Sequence, residues 1–243
     1  MIKNTVYFNG IDITDGADIT NIVRPGLPSR PKTKSIPGRD GEAFIGTNLD
    51  PKRISFDLVF RNCGPYAQRT VLDNLAAALY VDEPKQLKFA DEGNKYYMAI
   101  LEGEIESQPY ANAIVVSLKF KVPDPVRYEG TTPVSVTITS GNTGNITGSY
   151  PTKPTIATAS ASPGQSGYWG VRVDGGDYMH VPLSSGTHSV SINCETRVVT
   201  VDGDPAMITL DSNWFELAPG NHTITNDVGT CTNMTLSYFP RWL

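Results

Sequence analysis

Apolar and polar residues alternate along most of this chain, and the period changes only once. Ile54-Ser-Phe56-Asp-Leu58-Val-Phe60 repeats every second position, which puts Ile54, Phe56, Leu58 and Phe60 on one buried face of a strand. Thr5-Val6-Tyr7-Phe8 is a shorter run ending at Asn9-Gly10, a dipeptide that favours tight turns. From Tyr66 to Tyr80 the spacing becomes helical: Val71, Leu72, Leu75 and Leu79 share a stripe, and Ala76–Ala78 favour helix. Pro65 suits a first helical turn, and Pro84 stops continuation. Leu87–Phe89, Tyr96–Glu104 and Ala113–Val122 read as further strands. The first half is therefore predicted to be a β-sandwich or split barrel carrying one α-helix.

The second half shows no helical period. Val134–Thr139, Gly170–Val173, Ser189–Cys194, Arg197–Val201, Asn221–Thr225 and Met234–Tyr238 are short strands between turn signals. Asp174-Gly175 and Asp202-Gly203 mark hairpin turns. This pattern predicts a second β-sandwich, so the whole chain reads as mainly β with one helix.

Charge divides the chain at the same place. Residues 1–130 hold 16 Lys+Arg and 17 Asp+Glu, whereas residues 131–243 hold 4 and 8. The seam Lys121–Pro133 carries three prolines and a glycine, the composition of a boundary. Two domains are expected, meeting near residue 130, with no internal repeat relating the two halves.

One segment fits neither pattern. Arg24–Gly41, RPGLPSRPKTKSIPGRDG, holds Pro25, Pro28, Pro31 and Pro37 and the basic residues Arg24, Arg30, Lys32, Lys34 and Arg39. It lacks the apolar content to fold alone, and its prolines bias it towards extended polyproline-like geometry. A structureless connection this long is uncommon inside a compact domain. It is read as an arm that holds a neighbouring molecule.

Composition narrows the alternatives. Hydrophobic content of 39% with 19% charge describes a folded globular chain rather than a disordered one. A net charge of −5 argues against a dedicated nucleic-acid binder. No apolar run approaches the ~18 residues of a membrane span. MIKNTVYFNG shows no secretory signal. Cys63, Cys194 and Cys231 form no C-x-x-C pair and read as reduced thiols of a protein made in a cytoplasm.

Candidate chemistry is sparse. His180, His188 and His222 lack metal-site spacing, and Asp202-Gly-Asp204 and Asp174-Gly-Gly-Asp177 fit hairpin turns better than calcium loops. There is no G-x-S-x-G and no phosphate loop. No catalytic, metal or cofactor site is expected. Glu102, Glu104 and Glu106 alternate on the expected Tyr96–Glu104 strand and its continuation. Paired carboxylates can be glycosidase machinery, but a solvated sheet face, or an acidic complement to the basic arm centred on Glu102 and Glu104, fits better. Tyr168, Trp169, Tyr178 and Trp214 raise an alternative function, a module binding host cell-wall glycans; the competing explanation is that Trp169 and Trp214 fill a core or an inter-domain seam.

Several segments, taken in order, resemble a known family. They are Ser35-Ile36-Pro37-Gly38-Arg39-Asp40-Gly41; the Ile54–Phe60 strand; Pro84-Lys-Gln-Leu87-Lys-Phe89-Ala-Asp91-Glu92 with Tyr96-Tyr97; Trp214-Phe215-Glu-Leu217-Ala-Pro219-Gly220-Asn221-His-Thr-Ile224; and the terminal Tyr238-Phe-Pro240-Arg241-Trp242-Leu243. The set, which covers essentially the whole chain, resembles the distal tail (Dit) proteins of long-tailed siphophages and their prophages. The resemblance implies a non-enzymatic hub at the distal end of a virion tail, built as a hexameric ring, single or back to back with a second. Residues 1–130 would form the ring around a channel for DNA passage, with part of residues 24–41 as a belt on the neighbouring subunit. Residues 131–236 would be a galectin-like sandwich. Residues 237–243 would return to the first domain, with Phe239 and Trp242 as the anchor. Implied partners are the tail tube, tape-measure and tail-tip proteins. The chain is too short to carry the inserted carbohydrate-binding module of some relatives.

Overall fold

A computed structural model describes residues 5–139 and 142–243. They form two compact units, one reaching to Tyr128 and including Leu243, the other Glu129–Trp242.

The first unit contains β1 (Val6–Phe8), β2 (Ile11–Asp12), β3 (Ala17–Val23), β4 (Ser29–Ser35), β5 (Glu42–Leu49), β6 (Lys52–Arg61), α1 (Pro65–Leu79), β7 (Lys85–Phe89), β8 (Lys95–Leu101), β9 (Glu106–Tyr110) and β10 (Ala113–Val122), with β11 (Arg127–Glu129) at its end. The antiparallel path runs β2-β1-β7-β8-β10-β6-β3, with β9 also on β10. Its spine is the β6–β10 ladder, ten residue pairs from Ala113↔Arg61 to Val122↔Lys52. Both strands alternate as the sequence predicts, burying Ile54, Phe56, Leu58 and Phe60 against Ile114, Val116, Leu118 and Phe120. The sheet curls so that β1 and β7 face β10 and β6 across the core. Phe8 of β1 lies 5.3 Å from Phe120, and Phe89 of β7 meets Phe56 edge-on at 5.9 Å, within the range of favourable aromatic pairs. The path stays open between β2 and β3, so the barrel is split rather than closed.

The helix α1 starts at Pro65 and buries Leu75 and Leu79, with Val71 and Leu72 packed partly against the core. Burying a leucine fully stabilises by about 1.5–3 kcal/mol. Gln68 is buried on the same side. Its amide nitrogen donates to the carbonyls of Cys63 (2.8 Å), Tyr110 (2.8 Å) and Ala113 (3.1 Å), fixing the first turn to the β9–β10 hairpin.

The basic segment departs from the sequence expectation. Ser29–Ser35 is not a lone extended arm: it pairs with β5 from Ser29↔Leu49 to Ser35↔Glu42 as a two-stranded ribbon. Both strands are edges, so Pro31 is tolerated although it lacks an N–H to donate. The sequence carries no alternation there because almost every ribbon position is exposed.

The second unit is the expected sandwich. It contains β12 (Val134–Ile138), β13 (Asn142–Ile146), β14 (Thr155–Ala161), β15 (Tyr168–Val173), β16 (Tyr178–Pro182), β17 (His188–Asn193), β18 (Val198–Val201), β19 (Asp204–Ala206), β20 (Gly220–Val228), β21 (Met234–Tyr238) and β22 (Arg241–Trp242). One sheet runs β12-β21-β14-β17-β18-β19 and the other β13-β20-β15-β16. Trp169, Val171, Met179, Val181, Ile192 and Leu236 are core residues between them.

A local motif occurs twice in this unit. Asp174 and Asp202 each open a hairpin turn with positive φ. The Asp174 carboxylate faces His222 Nδ1 at 2.6 Å and accepts from the Thr223 amide at 2.8 Å. The Asp202 carboxylate faces His188 Nδ1 at 2.6 Å and accepts from the Ser189 amide at 2.8 Å. The matching segments are Gly186-Thr-His188-Ser-Val-Ser and Gly220-Asn-His222-Thr-Ile-Thr. The repeat lies wholly within the second half and does not relate it to the first.

Candidate assembly interface

The ribbon is exposed at every position of β4 and at most positions of β5. Its root is closed by the Asp50 amide donating to the Pro28 carbonyl at 2.8 Å and by an Arg30–Asp50 ion pair at 3.2 Å. Lys32, Lys34 and Arg39 are exposed and make no ion pair among the described residues. Phe44 and Ile45 stand beside them at 67% and 64% exposure. The register steps from Lys32↔Gly46 to Thr33↔Phe44, which leaves Ile45 as the extra residue of a β-bulge. Bulges re-aim side chains at sheet edges. The ribbon thus presents both cations and bare apolar side chains to solvent.

Arg24 is separated from the other basic residues. Its guanidinium donates to both oxygens of Asp91 at 2.9 and 2.6 Å and to Glu92 Oε1 at 3.0 Å, and it lies 4.6 Å from the centre of the Phe89 ring. The hydrogen bond to Arg24 holds the Asp91 carboxyl below its ordinary pKa. Arg24 therefore ties the chain before the ribbon to the end of β7, and does not extend with Lys32 and Lys34.

The acidic row is not a row. β8 ends at Leu101, and Gly103 has φ +82°, a left-handed conformation that breaks the strand before Glu104. Glu102 pairs with Arg53 through Nε at 2.8 Å, which lowers its pKa, while Glu104 is exposed in the connection. Glu106 opens β9 and pairs with Lys119. The expected common face of Glu102, Glu104 and Glu106 is lost.

At the chain's end, Phe239 is half-buried and its carbonyl accepts from Thr152 Oγ1 at 3.1 Å. Trp242 Nε1 donates to Glu129 Oε2 at 2.8 Å. Arg241 between them is buried and donates to the Pro151 carbonyl at 2.9 Å.

The aromatic set also separates. Trp169 is fully buried in the sandwich core, and Trp214 packs partly against it. Tyr168 and Tyr178 flank His180 on the other face, their ring centres 6.4 and 4.6 Å from the imidazole. Asp227 lies 2.7 Å from His180 Nε2 and accepts from Arg172 Nε at 2.6 Å. All three histidines thus sit on an aspartate of the second unit. Among the described residues no group of His, Cys, Asp and Glu could hold a metal ion. The cysteines are free thiols, and burial pushes Cys194 up to about 11, an unreactive protonated state.

Comparison with known proteins agrees with the two-part architecture. Residues 11–122 match the family described as phage tail protein RIFT-related domain. Residues 147–242 match the siphovirus-type tail component, C-terminal domain. Among solved structures, the Dit protein of phage SPP1, described as a paradigm of hub adsorption apparatus in phages infecting Gram-positive hosts, superposes with a TM-score of 0.83 at 19% identity over 99% of both chains. A chain of the phage P2 baseplate in its calcium-activated conformation gives a TM-score of 0.53 at 10% identity over 98% of each chain. A search of curated proteins finds no match. Neither the family matches nor these neighbours support the carbohydrate-module alternative. With a family match on each half, in the order the fold requires, the chain belongs to the siphophage distal tail proteins, structural components of the virion tail.

Proposed function

We propose that this chain is the repeating subunit of a ring at the distal end of the tail, joining the tail tube to the tail-tip apparatus. The observation that carries the reading is the β4–β5 ribbon. A two-stranded ribbon alone is marginally stable in water, and this one leaves Phe44 and Ile45 bare. Seating it on a neighbouring copy gives a heterologous contact, the kind that closes into a ring when the rotation fits. Residues 1–130 supply the ring, six subunits in one layer or two, around a channel through which DNA passes without specific binding. Residues 131–236 project as a docking surface, and residues 237–243, with Phe239 and Trp242, anchor the chain's end. The tail tube, tape-measure and tail-tip proteins are its partners. The subunit is made in the host cytoplasm before it enters the virion, and its role is geometric, with no catalytic step.

Light scattering after size exclusion tests the ring. A particle mass near six or twelve times 26.4 kDa supports it. Deleting Arg30–Gly38 is expected to leave folded subunits and abolish rings; intact rings from that deletion sink the ribbon assignment. Charge reversal at Glu102 and Glu104 is expected to weaken assembly if these carboxylates face a basic partner, and unchanged assembly removes them from the interface.

A further inference from the structure

Both legs of the ribbon lead to the same short turn. On the way out, Arg24 reaches the 3-10 turn Ala90–Glu92 between β7 and β8, donating to Glu92 Oε1 at 3.0 Å as well as to Asp91. On the way back, only Asp50 and Pro51 separate β5 from Lys52, the first residue of β6. Lys52 is 3% exposed and makes no hydrogen bond or ion pair among the described residues. Its Nζ lies 6.0 Å from the centre of the Tyr97 ring, and the Tyr97 hydroxyl donates to Glu92 Oε1 at 3.2 Å. Glu92 Oε2 is buried and accepts none of these hydrogen bonds.

A buried cation is costly unless an opposite charge offsets it. Burial lowers the Lys52 pKa and the charge of Arg127 pushes the same way, while the charge of Glu92 opposes both. Arg127 itself donates to the Leu243 carbonyl at 2.6 Å, and Arg24 occupies both oxygens of Asp91. That leaves Glu92 as the carboxylate that acts on Lys52, with Oε2 uncommitted. We propose that Glu92 is the shared counter-charge of the ribbon's two legs, holding Arg24 on one side and Lys52 on the other, so that a single carboxylate fixes where the ribbon leaves its unit. The inference concerns one copy of the chain and goes beyond the ring reading. Glu92 acts on the ribbon through Arg24 and Lys52, as a positioning residue. A two-stranded ribbon is marginal by itself, so its order depends on how firmly both legs are held at the root.

A double-mutant cycle on the full-length chain tests the shared charge. Glu92→Gln keeps the shape of the side chain and removes its charge; Lys52→Met keeps an apolar stem and removes the ammonium. In urea denaturation, Glu92→Gln is expected to raise the unfolding equilibrium constant at least ten-fold. Adding Lys52→Met is expected to recover at least three-fold of that loss, because the cation left uncompensated is gone. Hydrogen exchange in the β4–β5 ladder, and at the Asp50 amide that donates to the Pro28 carbonyl, should accelerate at least ten-fold in Glu92→Gln. The middle of the β6–β10 ladder should keep its rate. Where Glu92→Gln prevents folding, rescue by Lys52→Met supports the proposal, and no rescue overturns it. Costs that merely add, or a ribbon ladder that keeps its wild-type rate, also overturn it and leave the ring reading standing.

Discussion

Arg24 and Asp91, 67 positions apart in sequence, meet through two parallel hydrogen bonds of 2.9 and 2.6 Å. This fork, with Glu92 as a third acceptor, fixes where the chain leaves β3 before the ribbon begins. Arg24→Ala is expected to lower the unfolding free energy by about 1–2 kcal/mol, less than a fully buried pair, because Asp91 is 36% exposed and solvent screens part of the gain. Arg24→Lys should recover only part of the loss, since an ammonium cannot reproduce the fork. Urea denaturation measures both. The Asp91 pKa is depressed in the folded state. Its contribution is therefore present above the ordinary carboxylate value of about 3.9 and disappears as pH falls through the folded value.

The His188–Asp202 pair has the opposite dependence on its histidine side. The hydrogen bond to Asp202 raises the His188 pKa. Stability from that shift is complete below the ordinary histidine value of about 6.5 and fades as pH rises through the raised folded value. The melting temperature of the wild type should fall more steeply than that of His188→Gln between about pH 6 and 8. Parallel profiles would show that the pair contributes nothing to this dependence.

Gln68→Leu keeps the bulk of the side chain and removes its donor. Three carbonyls, of Cys63, Tyr110 and Ala113, then lose the amide that joins them. A cost of about 1–3 kcal/mol follows from leaving buried acceptors unpaired. Hydrogen exchange at the start of α1 and along β9 should accelerate together, whereas a loss confined to the helix would contradict the bridging role.

Gly170 in β15 lies directly beneath His180. A methyl group added there would sit 2.3 Å from the imidazole Cδ2 and 2.7 Å from the Met179 carbonyl. Gly170→Ala is expected to push His180 away from Asp227 and to destabilise by about 1–3 kcal/mol, as overpacking does. The His180 imidazole resonances in an NMR spectrum should move markedly while those of His188 stay in place.

Elements with one buried face were legible in the sequence. β10 and β21 have the predicted ends, and α1 differs from its prediction by a single residue at each end. What the sequence hid had no contrast to read. In β9 every residue is exposed, and in β14 the run Thr-Ile-Ala-Thr-Ala-Ser-Ala alternates between side chains of similar size. The ribbon residues announced themselves by charge, but their pairing did not, since both faces meet solvent within one copy. By sequence Arg24 falls with Lys32 and Lys34, since nothing local reveals a partner as distant as Asp91. The acidic row failed at one glycine, Gly103, whose φ the spacing of glutamates cannot convey.

The three histidine–aspartate pairs all belong to the second unit, and the first contains no histidine at all. Histidine is the side chain whose ordinary titration falls between pH 5 and 8. Asp202 raises the His188 pKa, so His188 takes up its proton on the second unit as pH falls through that raised value. A particle passing from neutral to weakly acidic surroundings therefore gains positive charge at the start of β17, on the second unit.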